Sequence, residues 1–155
     1  MAFFYDLNFA FTSNGTANTE TDHMRLLTVA NQETCRIVGL YGASRFGTAG
    51  GAQLRVKTFA TASTAGSSQT PAKRHPSYPA AGTTALTGPT VGATPTVRLT
   101  VGMAQTGGMG GWVALEPSAA IALLANAGAN GNADVFSIAT STSVTGDFTV
   151  EITEG

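Results

Sequence analysis

Residues 3–12 read FFYDLNFAFT. Phe3, Tyr5, Leu7, Phe9 and Phe11 are apolar, while Asp6, Asn8, Ala10 and Thr12 fall on the opposite side of an extended chain. Side chains of a strand alternate between two faces, so strict alternation over this length predicts a half-buried β-strand with one face on a core. A helix would scatter the same aromatics around its axis.

The signal returns in shorter pieces. Near the end of the chain, Phe148, Val150 and Ile152 alternate with Thr149, Glu151 and Thr153, after a turn placed at Gly146-Asp147. Leu54 and Val56 alternate with Arg55 and Lys57, with a phase shift at Thr58-Phe59 that predicts a bulge. Val97, Leu99 and Val101 alternate with Arg98 and Thr100, and the two runs are expected to be neighbours. Residues 13–22 read as a loop with a turn at Asn14-Gly15. The apolar runs 24–30 and 35–41, separated by Asn31, Gln32 and Glu33, read as a hairpin or a short connection between sheets. Ile37, Val38, Leu40 and Tyr41 are nearly continuous, as in a strand covered on both sides. Val135, Phe136 and Ile138 start a further strand after a turn-rich loop at 127–134.

Trp112, the only tryptophan, follows a glycine-rich stretch and reads as a core anchor. Residues 117–128 have the start and stop of a short helix, with a connecting strand as the alternative at 118–127. About eight short strands with Gly, Asn and Pro punctuation predict an all-β, jelly-roll-like sandwich. It occupies 1–155 as a single domain, with one long loop and one short helix.

That loop, residues 61–95, is almost wholly Ala, Thr, Ser, Gly and Pro and holds five of the six prolines. Proline lacks the amide a ladder needs, and so little apolar surface does not offset the entropy of ordering the chain. The expectation is an arm outside the core, either disordered or used in contact with something else.

Charged residues make up 11% of the chain and the net charge is −1. Soluble domains carry roughly 25%. So few charges predict a surface largely covered by partners, although Thr and Ser can also solvate a surface. Eight Lys and Arg against nine Asp and Glu give no electrostatic case for nucleic acid. No stretch approaches a membrane span, and residues 1–11 lack a basic n-region and carry Asp6 and Asn8, so they are not read as a signal peptide.

Chemistry is not visible in the sequence. The single Cys35 lies in an apolar run and reads as a small buried hydrophobe. His23 and His75 stand in polar connections, and neither HExxH nor GxSxG occurs. The acids are scattered, and a paired-carboxylate site is disfavoured in so charge-poor a chain. No catalytic residue, metal ligand or cofactor is expected, and the chain is read as a non-enzyme. The cluster Lys73, Arg74 and His75, with Tyr78 close by, is either a solvated loop tip or an anchor for an acidic patch on a partner.

The order of features resembles the small jelly-roll virion proteins of tailed bacteriophages, many of them capsid decoration (cement) proteins. The likeness lies in four features. They are the opening strand and polar loop, Leu54-Arg55-Val56-Lys57 running into an insertion with Pro71 and Pro76-Ser77, Trp112 followed by Glu116-Pro117, and the ending from Gly146 to Ile152. The Ala/Leu stretch 119–128 departs from it. The resemblance implies a homo-oligomer, a trimer, that docks on the major capsid protein at the outside of the shell and stabilises it. It implies synthesis in the bacterial cytoplasm and residence in the virion, without nucleic-acid or membrane partners. The alternatives are a tail, baseplate or head-fibre adaptor, or a carbohydrate-binding module with Trp112 or Tyr78 as stacking surface.

Overall fold

The computed structural model describes residues 1–27, 35–45, 51–59, 66–89, 95–103, 110–116, 119–123, 132–139 and 143–155. These carry strands β1 (Phe3–Thr12), β2 (Glu20–Leu27), β3 (Cys35–Ser44), β4 (Ala52–Phe59), β5 (Ser67–Gln69), β6 (Ala72–Lys73), β7 (Thr84–Thr87), β8 (Pro95–Met103), β9 (Gly110–Ala114), β10 (Ile121–Leu123), β11 (Asn132–Ala139) and β12 (Thr145–Glu154). No helix occurs among the described residues.

Pairing is nested. β1 pairs with β12, β2 with β11, β3 with β9 and β10, and β4 with β8, all antiparallel. The chain is thus one long hairpin folded into two layers, which is the winding of a jelly roll. One six-stranded sheet runs β10-β3-β12-β1-β6, with β9 also on β3; the other runs β5-β7-β2-β11-β4-β8.

The inner faces follow from alternation. On β1, Tyr5, Leu7, Phe9 and Phe11 are buried, and on β12 so are Phe148, Val150 and Ile152. Their register sets Phe9 opposite Phe148, with rings stacked at 5.4 Å, and Leu7 opposite Val150. Met24, Leu26, Leu54, Val56 and Val135 close the core from the second sheet.

Three bulges explain where simple alternation breaks. Between β3 and β12 the register shifts so that Val38 has no partner, which inverts the buried phase from Cys35 and Ile37 to Leu40 and Gly42. The apolar run there is therefore two half-buried phases joined by a bulge, not a strand covered on both sides. The predicted shift in β4 is present two residues earlier, between Val56 and Lys57, and the extra residue is Arg98 on β8. The third makes His23 the extra residue opposite β11.

Several expectations are corrected. β2 begins at Glu20 and β11 at Asn132, so both predicted loops are shorter. Gly146 and Asp147 lie inside β12 rather than in a turn. A Cβ at Gly146 would run into the Phe11 ring and the Ala43 carbonyl, so the glycine serves close approach. The described part of the proposed helix is β10, whose Ile121 and Leu123 pair with Ile37 and Cys35. A sheet edge needing partners overrides the helix propensity of Ala and Leu. Residues 117, 118 and 124–128 of that segment, and 31–33 between the second and third runs, lie outside the described residues; β2 and β3 do belong to different sheets.

The arm needs the largest correction. Phe59 pairs with Pro95, so the arm falls in sequence between the paired ends of β4 and β8. Its described part contributes strands to both sheets: β6 pairs with β1, and β7 lies between β5 and β2. Ala85 is fully buried in the core. Small Ala, Ser and Thr suit edge strands, and Pro71 and Pro89 sit just outside strands, where no ladder amide is lost.

Candidate functional site

The inner face of the first sheet is filled, so any site there lies on its outer face. Register puts Trp112 opposite Tyr41, Tyr41 opposite Thr149, and Thr149 opposite Asn8, a row crossing β9, β3, β12 and β1. The row beside it holds Gly110, Ala43, Asp147 and Ala10 in the same four strands. Small side chains beside large ones leave a groove of about 590 Å³ over this face.

Trp112 is 70% exposed, which corrects the expectation of a core anchor. In Gly-Gly-Trp-Val-Ala, alternation fixes only that Trp112 and Val113 face opposite ways. Val113 takes the inward side and packs against the core. The Trp112 and Tyr41 rings are nearly parallel, 11° apart, with centroids at 6.3 Å. Tyr41 leans over Gly39, where an added Cβ would come within 3.1 Å of its ring, and donates to Glu151 Oε2 at 3.1 Å. Gly39→Ala is expected to displace both side chains at a cost of about 1 kcal/mol, because the Glu151 carboxylate can move. Thermal unfolding and the emission of the sole tryptophan check this; an unchanged spectrum would mean that Tyr41 does not depend on the glycine.

The groove carries balanced charge. Arg45 donates twice to Asp147, Nε to Oδ2 at 3.0 Å and Nη2 to Oδ1 at 2.7 Å. Those bonds and the guanidinium charge hold the Asp147 carboxyl below its usual range. Thr149 Oγ1 donates to Asn8 Oδ1 at 2.5 Å, which turns the amide so that its NH2 remains a donor.

The sequence-predicted contact residues lie elsewhere, in the arm. Arg74 pairs with Asp6 at 2.8 Å and with Glu151, so the acids it meets belong to its own chain. Tyr78 packs edge-on against Phe3 at 5.2 Å and lies 6.3 Å from Tyr5. Lys73 is exposed, and exposed His75 hydrogen-bonds Ser77 through Nδ1 at 2.6 Å. Further bonds tie the arm down. Glu154 accepts from the amides of Gly82 and Thr83 at 2.9 and 2.6 Å, and Tyr5 Oη donates to the Pro79 carbonyl at 3.2 Å.

The other ionisable groups serve the fold. On the outer face of the second sheet, Asp134 sits between Arg25 and Lys57, and Phe136 between Asp22 and Arg55. Burial, then a shared hydrogen bond with Asp134 and its charge, push Asp22 up to about 9. Burial opposes ionisation of Glu20, but Lys57 and Arg55 together hold its carboxyl below the usual range. Burial alone takes His23 down to about 4, and the ring meets Ser137 Oγ at 2.6 Å. Cys35, read as a small buried hydrophobe, is buried, and burial raises its thiol to about 12, far from nucleophilic use. No cluster of three or more metal-ligating side chains occurs among the described residues, and none of their helices is long and apolar enough to cross a membrane.

Tyr41, Asn8 and Thr149 were not legible as site residues. Each is an ordinary outward position in its own strand, and only register aligns them.

No protein-family profile matches the chain, and no curated protein does. Among solved structures it is similar to the decameric BFDV capsid protein, at 13% identity and TM-score 0.33, covering 100% of this chain and 99% of that one. It is also similar to a Bacillus endospore appendage that forms disulfide-linked pili, at 12% identity and TM-score 0.30, covering 99% and 89%. A third is infectious bursal disease virus, strain Gx, at 11% identity and TM-score 0.20, covering 99% and 42%. Likenesses this distant carry no functional argument, and the jelly-roll assignment rests on the strand pairing itself.

Proposed function

We propose that this chain is a non-enzymatic structural protein of a bacteriophage virion. As a homotrimer it binds the major capsid protein at the outside of the shell and bridges adjacent coat subunits. The observation that carries the reading is how the ionisable side chains are engaged. Arg45, Arg55, Lys57 and Arg74 pair with Asp147, Glu20, Asp6 and Glu151 of the same chain, while His23 is half-buried against Ser137 and Cys35 is buried. A surface so neutralised favours adhesion by area over electrostatic steering or acid–base turnover. Lys73 and His75, exposed on the arm, are the side chains it offers to a neighbour.

Bridging several coat subunits at once raises avidity without any covalent step. The test is co-sedimentation with undecorated phage heads, with calorimetry of the heads and light scattering of the free protein. A trimer that sediments with the heads and raises their melting temperature is the expected result. A monomer that stays in the supernatant while the heads sediment, with the melting of the heads unchanged, would overturn the reading.

A further inference from the structure

We infer that the groove over the outer face of the first sheet, at Tyr41 and Trp112, is a binding site for a neutral oligosaccharide. The inference does not depend on the virion reading; it stands on four features of the groove.

The first is exposure. A Trp at 70% exposure on a regular strand leaves a large apolar surface in water, although the core of this fold buries Tyr5, Phe9 and Phe11 of β1 and Phe148 of β12. The second is ring geometry. Trp112 and Tyr41 are nearly parallel at 11° and held by the sheet register, Tyr41 being fixed further by its bond to Glu151. The flat C–H face of a pyranose packs on such a π surface, and rigid aromatics lose little entropy on binding.

The third is the order of chemistry along the row. Apolar Trp112 and Tyr41 give way to Thr149 and Asn8, whose NH2 remains free to donate to a ring hydroxyl. Four strands span about 14 Å from first to last. A short oligosaccharide lying across them has its sugar faces on the rings and its hydroxyls at the amide. The fourth is charge. Asp147 holds Arg45, and Glu151 with Asp6 holds Arg74, so the groove has no unpaired cation to attract a phosphate or an anionic chain. Neutral carbohydrate fits both halves of the groove, whereas a nucleic acid would need an unpaired cation.

Trp112 is the only tryptophan in the chain, so intrinsic fluorescence reports on this groove alone. The experiment titrates the full chain with neutral gluco-, manno-, galacto- and N-acetylglucosamine oligosaccharides, followed by fluorescence and by an array of the same sugars immobilised. At least one series should shift the emission saturably. Trp112→Ala should abolish array binding, Trp112→Phe should keep part of it, and Asn8→Ala should weaken it about tenfold, the loss of one well-placed hydrogen bond. Because Trp112 is exposed, Trp112→Ala should leave the denaturant midpoint of unfolding unchanged from the parent. Three results would overturn the site. They are no saturable shift with any series at millimolar sugar, array binding that survives Trp112→Ala, or emission already blue and shielded from iodide because a second copy covers the ring. Loss of head binding with sugar binding retained would sink the virion reading alone.

Discussion

Excision of residues 66–89 is expected to lower the unfolding free energy by about 5 kcal/mol and to make the protein aggregate near room temperature. The reasoning starts from the hairpin. Phe59 and Pro95 are already paired, so the strands they end stay together and a shorter connection adds little closure cost. What disappears is the cover on β1 and β2. β6 pairs Tyr5 and Asp6 with Lys73 and Ala72, and β7 pairs residues from Met24 to Leu27 with those from Thr87 to Thr84. Each such pair contributes about 0.2–1 kcal/mol, and each hydrogen bond from the arm to Glu154 or Tyr5 about 1 kcal/mol. Losing Ala85 also opens the core between the sheets. The sum is a large part of the 5–15 kcal/mol typical of a domain, and two bare edges invite pairing between chains. Chemical denaturation and light scattering measure both effects. A truncated protein as stable and monodisperse as the parent would show that the arm is an appendage and not part of the sandwich.

The second large effect is a fall in stability on the alkaline side. Asp22 ionises near its ordinary 3.8 when unfolded, but burial and Asp134 raise it to about 9 in the fold. A raised carboxyl is fully favourable below its unfolded value and erodes as pH climbs to the folded one. His23 has the opposite slope, because burial lowers it from 6.5 to about 4. Its stabilisation is complete above 6.5 and is lost as pH falls to about 4. Between about pH 4 and 6.5 the two slopes oppose and stability is nearly flat; from there to about 9 Asp22 acts alone and stability declines. With both Asp22 carboxyl oxygens buried, one-proton linkage from 6.5 to about 9 puts the decline at about 3 kcal/mol. Asp22→Asn, which mimics the protonated acid, should abolish it and uncover the His23 slope on the acid side. Denaturant midpoints measured across pH 4 to 9 test this. An alkaline decline of the same size in the variant would assign the effect to another group.

The alternation of residues 3–12 and of the last strand was readable directly, because a strand's period of two places side chains by local geometry alone. From it follow the half-buried β1 and β12, the all-β sandwich and the neighbouring pair β4 and β8. Sequence also located the arm, whose prolines and small residues mark it off from the apolar runs.

Three things were decided only by tertiary structure. The arm's order comes from β1 and β2, whose unpaired edges accept Ala and Thr as readily as larger residues once backbone bonds and the Arg74 and Glu154 contacts are available. Trp112 lies outside because period-two alternation leaves the choice of inner face to whichever neighbour, here Val113, meets the core. The row from Trp112 to Asn8 joins four strands far apart in the chain, and a one-residue slip in any of them would turn its member to the other face. Local periodicity fixes what each strand can bury; only register fixes what the strands display together.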